Sequence, residues 1–372
     1  MTPEIFTVPF MQLASGDRLS IQVYKYVGAT AGKKAYLQSN LHGAEIAGNA
    51  VILQFIEWLN TLDTTQLVGE IWLVPVCNPI GTNQRSHYFS SGRYNHYDGK
   101  DWNRIFWDYE KAEEDLMAFA KSHLKSDRST IQHQFRQQIQ ERFSGLLEQL
   151  NAPSGVPVSE LYRYHLQSLC LDADYLIDLH TSAGQGLDYV YYFRDREASA
   201  AWFGLPVGIL LDVYDGDAFD EAFIKPWLAL ETCFAELGRE LRFDIEAWTL
   251  ELGTAMQCNP RSVENGLLGV KNYLARKGML ATPEPPLPLQ EMKLTTCSTL
   301  KRYYAPTGGM IQFKIALGST VEAGQQLYQI LSFNKEGRLP QRTNIQAEQA
   351  GLVFDLSINQ AVNQGEYVLG LL

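Results

Sequence analysis

Residues 33–59, KKAYLQSNLHGAEIAGNAVILQFIEWL, constrain this chain more than any other stretch. Residues 35–41 have the composition of a short buried strand. From Ala44 onward Ile46, Ala47, Ala50, Val51, Phe55 and Trp58 recur at helical spacing, so a strand passes directly into an amphipathic helix. His42 and Glu45 sit at the junction. Side chains at i and i+3 share a helical face, so the pair can point at one spot and offer it two metal-ligating atoms. Taken alone, such a pair more often belongs to a solvated face. Two ligands do not make a site, and the rest of the chain must supply a third.

At 372 residues the chain exceeds one ordinary core, which predicts a large domain plus a smaller one. Its net charge of −11 opposes nucleic acid or an anionic membrane as a partner, since both need a basic face. An anionic substrate would therefore need local arginines. No apolar run reaches membrane-spanning length, and the opening MTPEIFTVPF lacks the basic and apolar regions of a secretory signal, which predicts a cytoplasmic protein. The five cysteines, Cys77, Cys170, Cys233, Cys258 and Cys297, never fall in a C-x-x-C spacing, which disfavours a disulfide framework and a cysteine zinc cluster alike.

Residues 19–23 alternate apolar and polar positions and predict a strand ahead of the central one. Residues 70–76, EIWLVPV, predict another after the helix, and this order of elements is that of an α/β layer. Residues 77–103 are rich in Asn, Gly, Ser and Asp and read as a long loop. Its aromatics Tyr88, Phe89, Tyr94, Tyr97 and Trp102 argue against a solvated linker and for a functional loop. Residues 108–150 read as helical throughout, broken around 126–129, where Asp127 or Ser129 can cap the second segment. A loop at 151–156 leads to a third helix over 159–171. The whole stretch 108–171 is expected to cover one side of the sheet.

Residues 175–179 form a short apolar strand that runs into His180. Period two places Asp178 and His180 on one face at the strand's C-terminal end, where open α/β sheets bind ligands. His180 is thus a candidate third ligand, although a lone His at a strand end is more often a hydrogen-bonded structural residue. Further strands are expected at 189–193, 207–213 and 245–252, and helices at 218–237 and 262–277. Glu251 interrupts the apolar run of the last of these strands just before Gly253. A carboxylate there is either paired or functional, because burying it alone would cost several kcal/mol.

The four prolines of ATPEPPLPL predict a stiff linker over 281–290 between a large domain, residues 1–280, and a β domain, residues 291–372. That second domain contains an internal repeat. Ala305 and Gly309 followed by Val321, Gly324 and Leu327 match Ala347 and Gly351 followed by Val362, Gly365 and Val368, which predicts a small pseudo-symmetric β barrel or sandwich.

Two His and one Glu leave a fourth tetrahedral position open, the pattern of catalytic rather than structural zinc. The motifs HGAE, NP followed by GRYNHYDGKDWNR, DLH and LELG, in that order, resemble the succinylglutamate desuccinylase/aspartoacylase family, relatives of the zinc carboxypeptidases. The C-terminal repeat is similar to the biotinyl/lipoyl-like barrel of family members. The resemblance implies an α/β fold with a zinc-carboxypeptidase-like mixed sheet flanked by helices, the site at the strands' C-terminal ends. It implies one zinc per chain held by His42, Glu45 and His180, and Glu251 as general base. Arg93 would polarise the scissile carbonyl, with Arg85 the weaker candidate, and Asn103 with Arg104 would hold the substrate's carboxylate. Arg104 can otherwise be an ordinary salt-bridge partner of Asp101 or Asp108. Asp178 either orients a ligating histidine or simply ends its strand.

The implied activity is zinc-dependent hydrolysis of the amide bond of a small anionic N-acyl amino acid or related N-acyl amine. A metallocarboxypeptidase acting on short peptides would use the same residues in the same roles, and a non-catalytic binding protein could retain the fold. No G-x-S-x-G occurs, which disfavours a serine hydrolase. Trp102 stands where many relatives have an aliphatic residue, and Phe106-Trp107 where a Phe-Pro-Gly turn is common. These departures bear on the acyl group and the amine. Lys335 lies in a context unlike that of a biotin or lipoate acceptor, so the C-terminal domain is expected to be a structural cap. The sequence leaves a homo-oligomer open.

Overall fold

The structure, a computed structural model, describes residues 1–112, 115–150, 155–281, 291–333 and 335–372. Most of the expected linker at 281–290 and of the loop at 151–156 lies outside the described residues. Ten strands come first: β1 (Glu4–Gln12), β2 (Arg18–Val27), β3 (Thr30–Ser39), β4 (Val68–Val74), β5 (Tyr175–Ser182), β6 (Gln185–Gly186), β7 (Asp188–Tyr192), β8 (Val207–Leu210), β9 (Glu246–Thr254) and β10 (Lys293–Thr296). All but β6 form one nine-stranded mixed sheet in the order β1-β2-β4-β3-β5-β9-β7-β8-β10. Its centre, β4-β3-β5-β9, is parallel, and β5 is buried along its whole length, as a strand covered on both faces must be.

Among the described residues eight α-helices accompany the sheet: α1 (Ala47–Thr61), α2 (Pro79–Asn83), α3 (Leu116–Ser122), α4 (Arg128–Gln149), α5 (Val158–Gln167), α6 (Glu197–Ala200), α7 (Phe219–Glu236) and α8 (Pro260–Arg276). Alternate residues of the central strands feed two cores. Ala35, Leu37, Ile177 and Leu179 pack with α1 and α8, while Tyr36 and Leu176 pack with α3, α4, α5 and α7. Asp178 and His180 share the parity of Leu176 and so face the α7 side.

Three elements depart from the sequence reading. The helix expected from Asp108 does not begin until Leu116. Asp108 turns its carboxylate onto the Glu110 amide at 2.9 Å, and such local capture of the backbone competes with a helix. The edge strand β1 was not foreseen, because its regularity is broken by a register shift between Pro9 and Met11. Finally, β10 pairs parallel with β8 and completes the large sheet, so the strands of the C-terminal region start later than residue 291. Its pairing covers an edge of β8 that would otherwise be open. The capping residue of α4 is Asp127, which accepts from the Thr130 amide.

The C-terminal region holds β11 (Lys301–Tyr304), β12 (Gly309–Gln312), β13 (Thr320–Val321), β14 (Gln326–Ser332), β15 (Gln341–Gln346), β16 (Gly351–Leu356), β17 (Ala361–Val362) and β18 (Tyr367–Leu371). They make two small antiparallel sheets around one core that includes Val321, Leu327, Val362 and Val368. The two copies of the repeat interlock. Gly365 donates to the Ala305 carbonyl and Gly324 to that of Ala347, while β13 pairs with β16 and β17 with β12. No helix among the described residues is long and apolar enough to cross a membrane.

Candidate active site

The site starts at the end of β3. Asn40 adopts a left-handed backbone, φ 68°, which a short polar side chain tolerates. Its amide donates to the carbonyls of His42 (3.2 Å), Gly43 (3.0 Å) and Glu45 (3.4 Å). With those carbonyls engaged, α1 begins only at Ala47. His42 and Glu45 are therefore fixed by a turn, in which the Glu45 amide donates to the His42 carbonyl at 3.0 Å, and not by a shared helical face.

The long loop packs on the back of this turn. A Cβ at Gly43 would fall 2.1 Å from the Gly81 carbonyl oxygen, and one at Gly92, where φ is +57°, 2.3 Å from the same atom. Only glycines allow so close an approach, and it brings the Gly92 and Ser91 carbonyls onto the amides of Gly43 and Ala44. The consequence is placement of Arg93 and Asp101. Aromatic packing is not what orders the loop: Tyr88, Phe89, Tyr94 and Tyr97 are exposed, and Trp102 alone enters the core, edge-on to Tyr162.

His42, Glu45 and His180 come together, all buried, with one donor atom from each within 4.8 Å of the others. His42 Nδ1 lies 2.9 Å from Glu45 Oε1, and His180 Nδ1 lies 2.8 Å from Glu45 Oε2. Each outer nitrogen faces a carboxylate. His42 Nε2 is 2.9 Å from Asp101 Oδ1, and His180 Nε2 is 3.0 Å from Asp178 Oδ2, the latter at an angle that makes no hydrogen bond. Ligating imidazoles are characteristically backed in this way, so the donor set fits a divalent metal.

Glu251 lies on β9, opposite His180 in the β5–β9 ladder, with Oε2 buried and without a hydrogen-bond partner. Burial pushes its carboxyl up to about 8, with Glu45 and Asp355 adding to the shift against His180 and Arg93. Glu45 goes the other way. Burial would raise it, but His42 and His180 hold it well below the usual carboxylate range. Arg93 reaches Glu45 Oε1 at 3.4 Å, and its Nε lies 2.9 Å from Asp101 Oδ2. Asp101 thus braces a candidate ligand and the arginine together.

His42, Glu45, Arg93, His180 and Glu251 line a cavity of about 610 Å³, and Arg302, Tyr304, Phe354, Asp355 and Tyr367 of the C-terminal region complete its wall. Asn103 and Arg104 line it as well. Asn103 Oδ1 accepts from the Phe219 amide at 2.8 Å, which ties the start of α7 to the loop and leaves Nδ2 as its donor. Arg104 donates to the Asn103 carbonyl at 2.6 Å. Neither Asp101, paired with Arg93, nor Asp108, paired with Lys225, is its salt-bridge partner. Arg85 donates to the carbonyls of Thr82 and Gln84 and does not line the cavity. Trp102 and Phe106 are core residues away from the lining. Asn40 and Asp355 escaped the sequence reading, and Asp101 entered it only as a possible salt-bridge partner of Arg104. Of these only Asp101, inside the motif GRYNHYDGKDWNR, carried any signal.

The model of the Succinylglutamate desuccinylase/Aspartoacylase catalytic domain matches residues 31–276. A crystal structure of a succinylglutamate desuccinylase/aspartoacylase family protein from Shewanella amazonensis is similar over 99% of this chain and 98% of its own, at 29% identity and a TM-score of 0.88. One from Shewanella frigidimarina covers 100% and 98% at 26% identity and a TM-score of 0.89. The ectoine utilization protein EutE (DoeB) from Ruegeria pomeroyi shares the fold over 100% and 96%, at 18% identity and a TM-score of 0.66. No curated protein matches the chain.

Proposed function

The chain belongs to the succinylglutamate desuccinylase/aspartoacylase family, and on that premise we propose that it is a zinc-dependent deacylase of small N-acyl amino acids. The observation that carries this reading is the convergence of two imidazole Nδ1 atoms on Glu45, beside the unpartnered Glu251 oxygen, in a cavity walled by both parts of the chain. His42, Glu45 and His180 would hold one zinc ion, which when bound supplies Lewis acidity and lowers the pKa of water to about 7.

The chain's own residues supply the rest. Glu251, whose ionised form a bound cation would favour, takes the proton of the attacking water and passes it to the nitrogen of the leaving amine. Arg93 donates to the scissile carbonyl oxygen as charge builds there, a contribution of about 3–4 kcal/mol for one well-placed donor. The fork of Arg104 and the Asn103 amide hold the substrate's carboxylate and so fix the amide bond between Arg93 and Glu251. A peptide substrate would need an open groove, and the wall contributed by the C-terminal region favours a small acyl amino acid instead.

Primary-amine release by the zinc-loaded protein, measured across N-acetyl, N-succinyl and longer N-acyl amino acids beside short peptides, tests this reading. Release from the acyl amino acids is expected. Release from peptides alone would make the protein a carboxypeptidase, and no release with zinc bound would leave a binding protein.

A further inference from the structure

The strand that carries His180 does not stop there but continues to Ser182, where it meets the C-terminal region. The Ser182 hydroxyl donates to Asp355 Oδ2, and the Tyr367 hydroxyl donates to Asp355 Oδ1 at 2.7 Å. Both oxygens of Asp355 are thereby engaged, one by each part of the chain. Ser182 Oγ also accepts from the Gly184 amide at 3.0 Å, which leads the chain into β6. There Gly186 pairs with Asp355 and Gln185 with Leu356, and the Leu187 amide donates to the Phe354 carbonyl at 2.9 Å. The approach is closest at Gly184, where a Cβ would fall 2.0 Å from the Leu356 carbonyl oxygen.

Two observations make this seam matter to His180. The β5–β9 ladder is irregular between His180 and Ser182, so sheet hydrogen bonds alone do not set the strand's course at that point. The His180 ring hydrogen-bonds Glu45 through Nδ1, whereas Asp178 Oδ2, 3.0 Å from Nε2, makes an ion-pair contact outside hydrogen-bond geometry. His42, by contrast, is gripped by Glu45 and Asp101 together. Past His180 the backbone is held by the Thr181 amide on Glu45 Oε2 at 3.4 Å, by the Ser182 carbonyl, which accepts from the Ala255 amide at 3.0 Å, and by the Ser182 hydroxyl on Asp355, the anchor that belongs to the C-terminal region.

We propose that Asp355 is a positioning residue of the active site: through Ser182 it fixes the end of β5, and with it the aim of the His180 imidazole. The C-terminal region is then a working part of the metal centre as well as its wall. This inference rests on the metal-centre reading given above, and its test separates the two.

Full-length Asp355→Ala and Asp355→Asn are compared with wild type for amide hydrogen exchange over residues 180–187, for zinc affinity by chelator competition, and for kcat and KM. Asp355→Ala is expected to speed exchange in that segment, weaken zinc about tenfold and lower kcat with KM near wild type. Asp355→Asn, which still accepts the Ser182 hydroxyl, restores most of each. Gly184→Ala keeps every hydrogen-bonding group yet pries the seam open, and it should reproduce the alanine phenotype. Where Asp355→Ala does not fold, Ser182→Ala removes the same bond from the other side and is read identically. Wild-type exchange and zinc affinity in the folded variants would overturn the proposal. A wild-type protein that takes up no zinc and releases no amine would instead defeat the deacylase reading, while the exchange comparison still decides the role of Asp355.

Discussion

In the proposed deacylase, a single oxygen of Glu251 separates a metal-binding cavity from a catalytic one. Glu251→Gln preserves shape but cannot accept the proton, so turnover should fall about 10²- to 10⁴-fold with zinc content unchanged. Paired measurements of amine release and bound metal check this, and retained turnover would remove Glu251 from its role. His180→Ala should lose both metal and turnover. Glu251 was legible because an acid inside an apolar run needs a reason, whereas Asp101 was not, since its partner His42 lies 59 positions away and no local pattern joins them. Glu221, on the cavity wall in the first turn of α7, gives a pH signature of its own. Burial and the neighbouring Asp220 raise its carboxyl from 4.5 to about 7. The folded state therefore holds this proton more tightly than the unfolded state does. Its contribution to stability is complete below about pH 4.5 and is lost as pH rises through about 7, a loss of roughly 3 kcal/mol at 1.36 kcal/mol per unit. Glu221→Gln cannot ionise, so its melting temperature should gain on wild type across that interval, and parallel melting curves would show the carboxyl to be unperturbed.

Among the elements, those read from the sequence were the ones whose pattern is local. The strand before His42 and the buried run of β5 announce themselves by apolar composition, and the helix after His42 by periodicity. Elements fixed by distant partners did not. Residues 108–112 carry a helical composition, but Asp108 holds the Glu110 amide and pairs with Lys225 on α7, and the periodic pattern loses to those contacts. The turn after β3 is a similar case, because the spacing of His42 and Glu45 suits a helix, whereas the Asn40 side chain and the loop carbonyls of Ser91 and Gly92 hold it as a turn. The loop's seat on that turn should be equally sensitive to small changes. Gly92→Ala places a methyl group against the Gly81 carbonyl at positive φ, a strain of about 1–3 kcal/mol. It should lower the melting temperature by several degrees and, by displacing Arg93 and Asp101, lower kcat more than the same loss of stability introduced elsewhere. A control such as Gly145→Ala, where a Cβ meets nothing within 4 Å, should do neither.

At the scale of the whole molecule, the C-terminal repeat was visible as spacing and the region was expected to be a cap, but which of its residues reach the cavity was not visible. Val321, Leu327, Val362 and Val368 specify a core that any small β unit could use. The docking depends on backbone approaches at Gly184 and β6, which leave no compositional trace. With that docking, Tyr367 and Phe354 help to wall the cavity of about 610 Å³ at the C-terminal ends of the central strands. A chamber of this size suits a ligand of small-molecule dimensions and penalises each further residue through steric conflict with the wall. Across a series from an N-acyl amino acid to the corresponding N-acyl di- and tripeptides, kcat/KM should fall about tenfold or more at each extension, or about 1.4 kcal/mol of transition-state stabilisation per step. Equal rates along the series would mean that the wall opens to a groove in solution. The same residues around Glu251 would then be serving a peptidase.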